Sequence, residues 1–286
     1  TGAVIHGDRR KHLEKHKQET PVGLQLGGCI PSELALACRI AREFNYSEIN
    51  LNCGCPSNRV QNAQFGAVMM IDAKKTADCV SAMLDTANIP ITVKHRTGVD
   101  ESDSYEFMRD FVGTVADKGC QTFLVHARKA WLSGLSPKEN RTLPTLEYDR
   151  VYRLKRDFPD LEIIINGGVV SIAESLKHLE KIDGVMMGRE AYTNPYVLAT
   201  VDRDIYQNNR EPKPRRQIVE EYLPFVEQEL ANGVKLNSLT RHMLGLFRGM
   251  PMARAFRRHI SENACKPNAQ IKVITEALKK TEAHLT

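Results

Sequence analysis

Six short runs of β-branched and aliphatic residues recur along the chain: VGLQLGG (22–28), SEINLNC (47–53), IPITVKH (89–95), CQTFLVH (120–126), LEIIING (161–167) and DGVMMGR (183–189). Each is apolar almost throughout, as a parallel strand covered on both faces must be. Between them lie helix-like stretches: SELALACRIAREF (32–44), with Ser32 as its N-cap and Glu33 in the first turn, then 74–87, 104–119, 147–158 and 171–181. Strict alternation of strand and helix predicts a parallel sheet, either open and doubly wound or closed into a barrel.

The residues at the C-terminal ends of these runs favour the barrel. Gln25, Asn52, Cys53, Lys94, His126, Arg128, Asn166 and Arg189 all fall there. An open sheet concentrates its chemistry at one switch point, whereas a (β/α)8 barrel assembles its site from every strand end. Only six strands are clear, with AVIHG (3–7) as the possible end of a seventh. The expectation is therefore a TIM-type barrel lacking its first strand, the chain having lost an N-terminal segment.

After Tyr196 the alternation stops. Segments 213–233, 238–250, 253–264 and 268–285 read as amphipathic helices, broken by Pro212, Pro214, Gly233, Pro251 and Pro267. Two domains follow, a barrel over 1–200 and a helical domain over 201–286. Residues 211–286 hold 13 Lys and Arg against 8 Asp and Glu, which is the whole +5 surplus of the protein. A polyanion is the partner such a localised surplus fits, although solvated helices carry similar charge. A hydrophobic content of 42% excludes a disordered chain. No apolar run approaches the roughly 20 residues needed to span a bilayer. Seven cysteines without disulfide density point to free thiols in a reducing cytoplasm.

The sharpest local signal is INLNCGCPSNRVQNAQFGA (49–67). Its C-x-C spacing lacks a second cysteine or histidine pair, so no metal is expected. Cys53 reads as a small buried hydrophobe. Cys55 lies past the strand end, in a Gly-Cys-Pro turn on the catalytic face. Asn166-Gly167-Gly168 and Gly188-Arg189 form two glycine endings on adjacent strands, where barrels bind a phosphate-bearing cofactor through backbone amides. Lys94 fits either a Schiff-base lysine or a cation for that cofactor. His126 fits a base, a hydrogen-bond donor or a core histidine.

The block NCGCPSNRVQN (52–62), the stretch HARKAWLSGLSPKENR (126–141), and INGG followed by DGVMMGREAYTNP closely resemble the tRNA-dihydrouridine synthases, most strongly their A-type bacterial branch. That resemblance runs over essentially the whole chain. It implies an FMN barrel with a C-terminal helical tRNA-binding domain, NADPH as reductant, and a monomer. The family's N-terminal alanine-proline-methionine turn is absent. Residue by residue, Cys55 becomes the catalytic acid, with Gln25, Lys94 and His126 on the flavin. Asn166, Gly167, Gly168, Gly188 and Arg189 surround its phosphate. Asn52 and Arg141 hold the uracil, Lys138 touches RNA, and Arg254, Arg257 and Arg258 form the RNA-facing helix. The implied reaction reduces the C5=C6 bond of a D-loop uridine, at position 20 and its neighbour. Ala63, Thr145 and Met252 depart from the usual glycine, proline and glycine. The alternatives are a flavin barrel acting on a small pyrimidine, like dihydroorotate dehydrogenase, and a non-catalytic RNA-binding chain.

Overall fold

The computed structural model describes residues 1–16 and 19–282; positions 283–285 of the expected C-terminal helix lie outside them. The chain divides into two compact units. One comprises Thr1–Gly168 with Lys177–Met186, and the other the remaining described residues.

The first unit is built on six parallel strands: β1 (Gly23–Leu26), β2 (Glu48–Cys53), β3 (Ile91–Arg96), β4 (Thr122–His126), β5 (Glu162–Asn166) and β6 (Gly184–Met186). They lie side by side in chain order. Right-handed crossovers taken always in the same direction put every connecting helix on one side of the sheet. That is the winding of a barrel wall, since a doubly wound sheet reverses its order midway. No pairing joins β6 back to β1 among the described residues.

Register then sorts the side chains by face. Asn52 stands beside Lys94, and His126 stands between Arg96 and Asn166. With a period of two, Asn50, Asn52, Thr92, Lys94, Arg96, His126 and Asn166 share one face. Ile49, Leu51, Cys53, Val93, Phe123, Val125, Ile163 and Ile165 share the other, each fully buried in a core with the helices' apolar residues.

Three expectations are corrected. Residues 3–7 are no strand, because Gly2–His6 is a short helix with Val4 buried in the core. Three apolar residues are too weak a β signal to resist packing. Helix Pro31–Ala41 begins one position before Ser32, with Ile30 at the cap, because Pro31 is preset for the first helical turn. The segment 238–250 is helical only over Leu236–Thr240 and then runs through turns. Gly245 and Gly249, poor helix formers, lie in those turns, Gly249 at φ +81°.

In the second unit, helices Arg215–Ala231, Ala253–Asn263 and Lys272–Glu282 enclose a core that includes Val226, Phe247, Phe256 and Ile274. Met252 precedes the second of these at φ +60°. Glycine takes that conformation without the Cβ clash that burdens methionine.

His95, on the helix-facing side of β3, is wholly buried beside the rings of Phe111 and Phe123. Its Nδ1 lies 2.7 Å from the Arg96 carbonyl oxygen and donates to it, while Nε2 has no partner among the described residues. Burial lowers its pKa from 6.5 to about 4. Because the folded value is depressed, the unfolded chain takes the proton first. Stability should hold above pH 6.5 and fall by about 3 kcal/mol as pH drops towards 4. Urea unfolding of the parent and a His95→Leu variant at pH 7 and pH 4.5 checks this. The variant should lose most of that acid dependence, and equal losses would refute the assignment.

Candidate active site at the strand ends

The turn after β2 places Cys55, and every backbone polar group from Gly54 to Pro56 has a partner. Asn52 Oδ1 accepts from the amides of Gly54 and Cys55, both at 3.0 Å. The Cys55 carbonyl accepts from Ala67 N at 2.9 Å. Arg96 Nε donates to the Gly54 carbonyl at 3.1 Å, and Gln61 Nε2 to that of Pro56 at 2.7 Å. A buried turn without such partners would carry a penalty of about 1–3 kcal/mol per orphaned group. The half-buried Cys55 thiol lies 3.4 Å from the Ser57 hydroxyl.

Asn52 is itself held by a chain of amides. Its Nδ2 donates to Gln25 Oε1 at 2.9 Å, Gln25 Nε2 to Asn50 Oδ1 at 2.8 Å, and Asn50 Nδ2 to Thr92 Oγ1 at 2.8 Å. Three strands are thus linked on the polar face, ending at a buried Thr92. Lys94 Nζ donates to Asn166 Oδ1 at 3.0 Å, and Asn166 Nδ2 to the Met186 carbonyl at 2.8 Å. Burial first, and the neighbouring Arg96 charge second, lower the Lys94 pKa from 10.5 to about 8. Arg96 is also pulled down, to about 10, chiefly by burial; Cys55 offsets this in part, and Arg141 and Arg128 add to it.

His126 closes β4 and is buried. Gly167, at φ +113°, passes so close that an added Cβ would sit 2.6 Å from the imidazole Cδ2. Gly168 follows at φ +76°, and Tyr148 donates its hydroxyl hydrogen to the Gly167 carbonyl at 2.7 Å.

The 126–141 segment rests on Asn140, which is fully buried. Its Oδ1 accepts from Trp131 N at 2.7 Å and its Nδ2 donates to the Trp131 carbonyl at 2.9 Å. Lys138 and Arg141 flank it, both exposed. Gln61 Nε2 reaches this segment at the Leu132 carbonyl, 2.6 Å away, and Arg96 Nη1 reaches the carbonyls of Lys129 and Asn140 at 3.1 and 2.8 Å.

Among the sequence-expected residues, the first unit therefore links Gln25 to Asn52 and the Cys55 turn, and Lys94 to Asn166, at the strand ends. Asn50, Gln61, Arg96 and Asn140 were not among the expected residues. Asn50 and Arg96 were signalled by the period-two pattern, polar where a core strand is apolar; Gln61 and Asn140 had no local signal. Gly188 and Arg189, in the second unit, are exposed, Gly188 at the start of the five-residue helix Arg189–Thr193. Arg254, Arg257 and Arg258 line a cavity of about 980 Å³ together with Arg241, Arg248 and Tyr192. Arg248 pairs there with Glu190 at 3.1 Å. Ala63, at φ −90°, bears no backbone strain.

Comparison with known proteins decides the family. The dihydrouridine synthase (Dus) family matches residues 1–282. The chain belongs to that family. It is 56% identical over 286 residues to the tRNA-dihydrouridine(20/20a) synthase of Vibrio vulnificus (strain CMCP6), covering 100% of this chain and 87% of that protein. Against the protein of the same name in Escherichia coli (strain K12) it is 54% identical over 280 residues, covering 98% of this chain and 81% of the other. The chain is thus an oxidoreductase enzyme of the dihydrouridine synthase class rather than of the small-pyrimidine alternative. No helix among the described residues is long and apolar enough to cross a membrane.

Gly66 tests the rigidity of the turn. It sits at φ +78°, and an added Cβ would come within 2.5 Å of the Cys55 carbonyl oxygen and 2.4 Å of Val60 Cγ1. Gly66→Ala should cost about 1–3 kcal/mol, read as a lower urea midpoint. An unchanged midpoint would mean that the turn yields freely.

Proposed function

We propose that the protein reduces the C5=C6 bond of uridine in the tRNA D-loop, at position 20 and its neighbour 20a, using FMN and NADPH in the cytoplasm as a monomer. The fully hydrogen-bonded turn around Cys55, set among polar strand ends, is the observation that carries this reading alongside family membership.

The residues suit a flavin. A pocket face bearing an ammonium, amides and an imidazole can hydrogen-bond the polar edge of its ring system. Gln25, Lys94 and His126 would hold that edge. Asn166, Gly167 and Gly168 would approach the phosphate group, the two glycines letting backbone come close. Gly188 and Arg189 keep the phosphate role that the family likeness gives them. When bound and reduced, the flavin supplies hydride to the uracil ring.

The chain's own residues then do the remaining work. C6 of uracil is the electrophilic carbon, being conjugated through C5 to the C4 carbonyl, so negative charge collects on C5 and that carbonyl. Cys55 donates its thiol proton to C5, the carbon on which that negative charge collects. Asn52 has committed its oxygen to the turn and keeps one Nδ2 hydrogen for a uracil carbonyl. Arg141 supplies a second donor. The uridine must leave its stack to reach this depth, with Lys138 holding RNA at the rim. Arg254, Arg257 and Arg258, with Arg241 and Arg248 beside them, would bind tRNA phosphates.

Cys55→Ala should retain flavin, read from visible absorbance, while uridine reduction falls by about 10²-fold or more. Full activity in that variant would exclude the acid role. Lys94→Met should lose flavin on gel filtration, whereas undiminished absorbance would detach Lys94 from the cofactor. Replacing Arg254 and Arg257 with Ala should weaken tRNA binding and flatten its salt dependence by roughly one in log–log slope per arginine. An unaltered slope places those arginines away from the phosphates.

A further inference from the structure

Two side chains join the Cys55 turn to the 126–141 segment, and nothing else in the reaction scheme uses them. Gln61 lies on the short helix Asn58–Asn62, half-buried. Its single amide nitrogen gives one hydrogen to the Pro56 carbonyl at 2.7 Å and the other to the Leu132 carbonyl at 2.6 Å, 71 residues further along the chain. Arg96 repeats the arrangement from β3. It binds the Gly54 carbonyl on one side and those of Lys129 and Asn140 on the other. The two carbonyls taken from the turn belong to the residues immediately before and after Cys55.

The chemistry of Arg96 argues that this bridging has a purpose beyond holding the fold together. The residue is 3% exposed, and no carboxylate pairs with it among the described residues. A buried guanidinium without a carboxylate is costly, and a hydrophobic residue of similar volume is often the more stable choice. Here the cation is compensated by carbonyls drawn from three separate stretches of backbone. The gain is therefore geometric: the position of one loop is fixed against the other.

We propose that Gln61 and Arg96 are positioning residues that clasp Cys55 to the segment bearing Arg141, so that proton donor and substrate-holding arginine move as one body. The proposal rests on the reading of Cys55 as the acid. A donor displaced by about 1 Å can lose on the order of 10²-fold in rate with binding little changed, so the clasp acts on turnover more than on tRNA affinity.

The test uses the whole chain with flavin bound and the variants Gln61→Leu and Gln61→Glu. In Gln61→Leu, amide exchange of residues 54, 55 and 57 and of 131–135 should accelerate together by about tenfold. Iodoacetamide should label Cys55, identified by peptide mapping, several-fold faster. For tRNA, kcat should fall by about tenfold or more while KM stays within about twofold. Gln61→Glu has nearly the same shape, but its carboxylate cannot donate to two carbonyls. It should be impaired at pH 8 and regain part of its turnover, relative to the parent, as acid restores one donor. This second variant keeps the test decisive if the leucine protein does not fold, since a glutamate variant of parental turnover at pH 8 would overturn the clasp. Exchange that rises in only one of the two segments would overturn the coupling, as would labelling, exchange and kcat all within twofold of the parent. Full activity of Cys55→Ala would instead sink the acid reading, because exchange and labelling report on the clasp without reference to the reaction.

Discussion

The side chains of a parallel strand alternate between two faces, and everything at this site depends on how that alternation is used. On β2 and β3 the helix-facing residues Ile49, Leu51, Cys53, Val93 and His95 are completely buried. The opposite positions, Asn50, Asn52, Thr92, Lys94 and Arg96, carry the polar groups. Apolar contact with the helices fixes the strands, and the fixed strands then hold the polar side chains at set spacings. A shift of one residue in register would exchange the two sets and remove both core and site.

This division lets stability and chemistry be altered separately. Substitutions on the helix-facing side are felt first as cavities or overpacking. Those on the other side act through hydrogen bonds whose loss leaves the apolar core intact. His95 and Arg96 sit next to each other on β3 yet belong to different faces. One is neutral against aromatic rings; the other keeps its charge by gathering backbone carbonyls.

Much of this was legible from residues alone. Six apolar runs in rhythm with helical stretches gave all six strands, with ends off by up to three residues, because the residues packed against the helices leave a strong apolar pattern. The Gly-Cys-Pro turn and the asparagine before it stood out for the same reason, being polar or conformationally special at a strand end. Less readable were features made by distant contact. Val4 lies in a helix that packs on the core. Gln61 acts on a carbonyl 71 positions away. Asn140 looks like any loop asparagine until Trp131 is seen on both ends of its amide. Segment 238–250 failed as a single helix because its amphipathic spacing outweighed, on paper, two glycines that the folded chain places in turns. Met252 stood out by family likeness, and its left-handed backbone gives that departure a physical meaning.

The saturated turn at Cys55 has a stereochemical consequence. A thiol on a mobile loop can reach a planar ring from above or below, and the new C–H bond then forms on either side. Here the backbone on both sides of the cysteine is tied to the body of the protein, so its sulfur is held at one place relative to the strand ends. For the reduction proposed above, the hydrogen added at C5 would always arrive on the same face of the uracil. The two hydrogens at that carbon would differ in origin and in handedness: one brought by the nucleoside, the other written in by the fold.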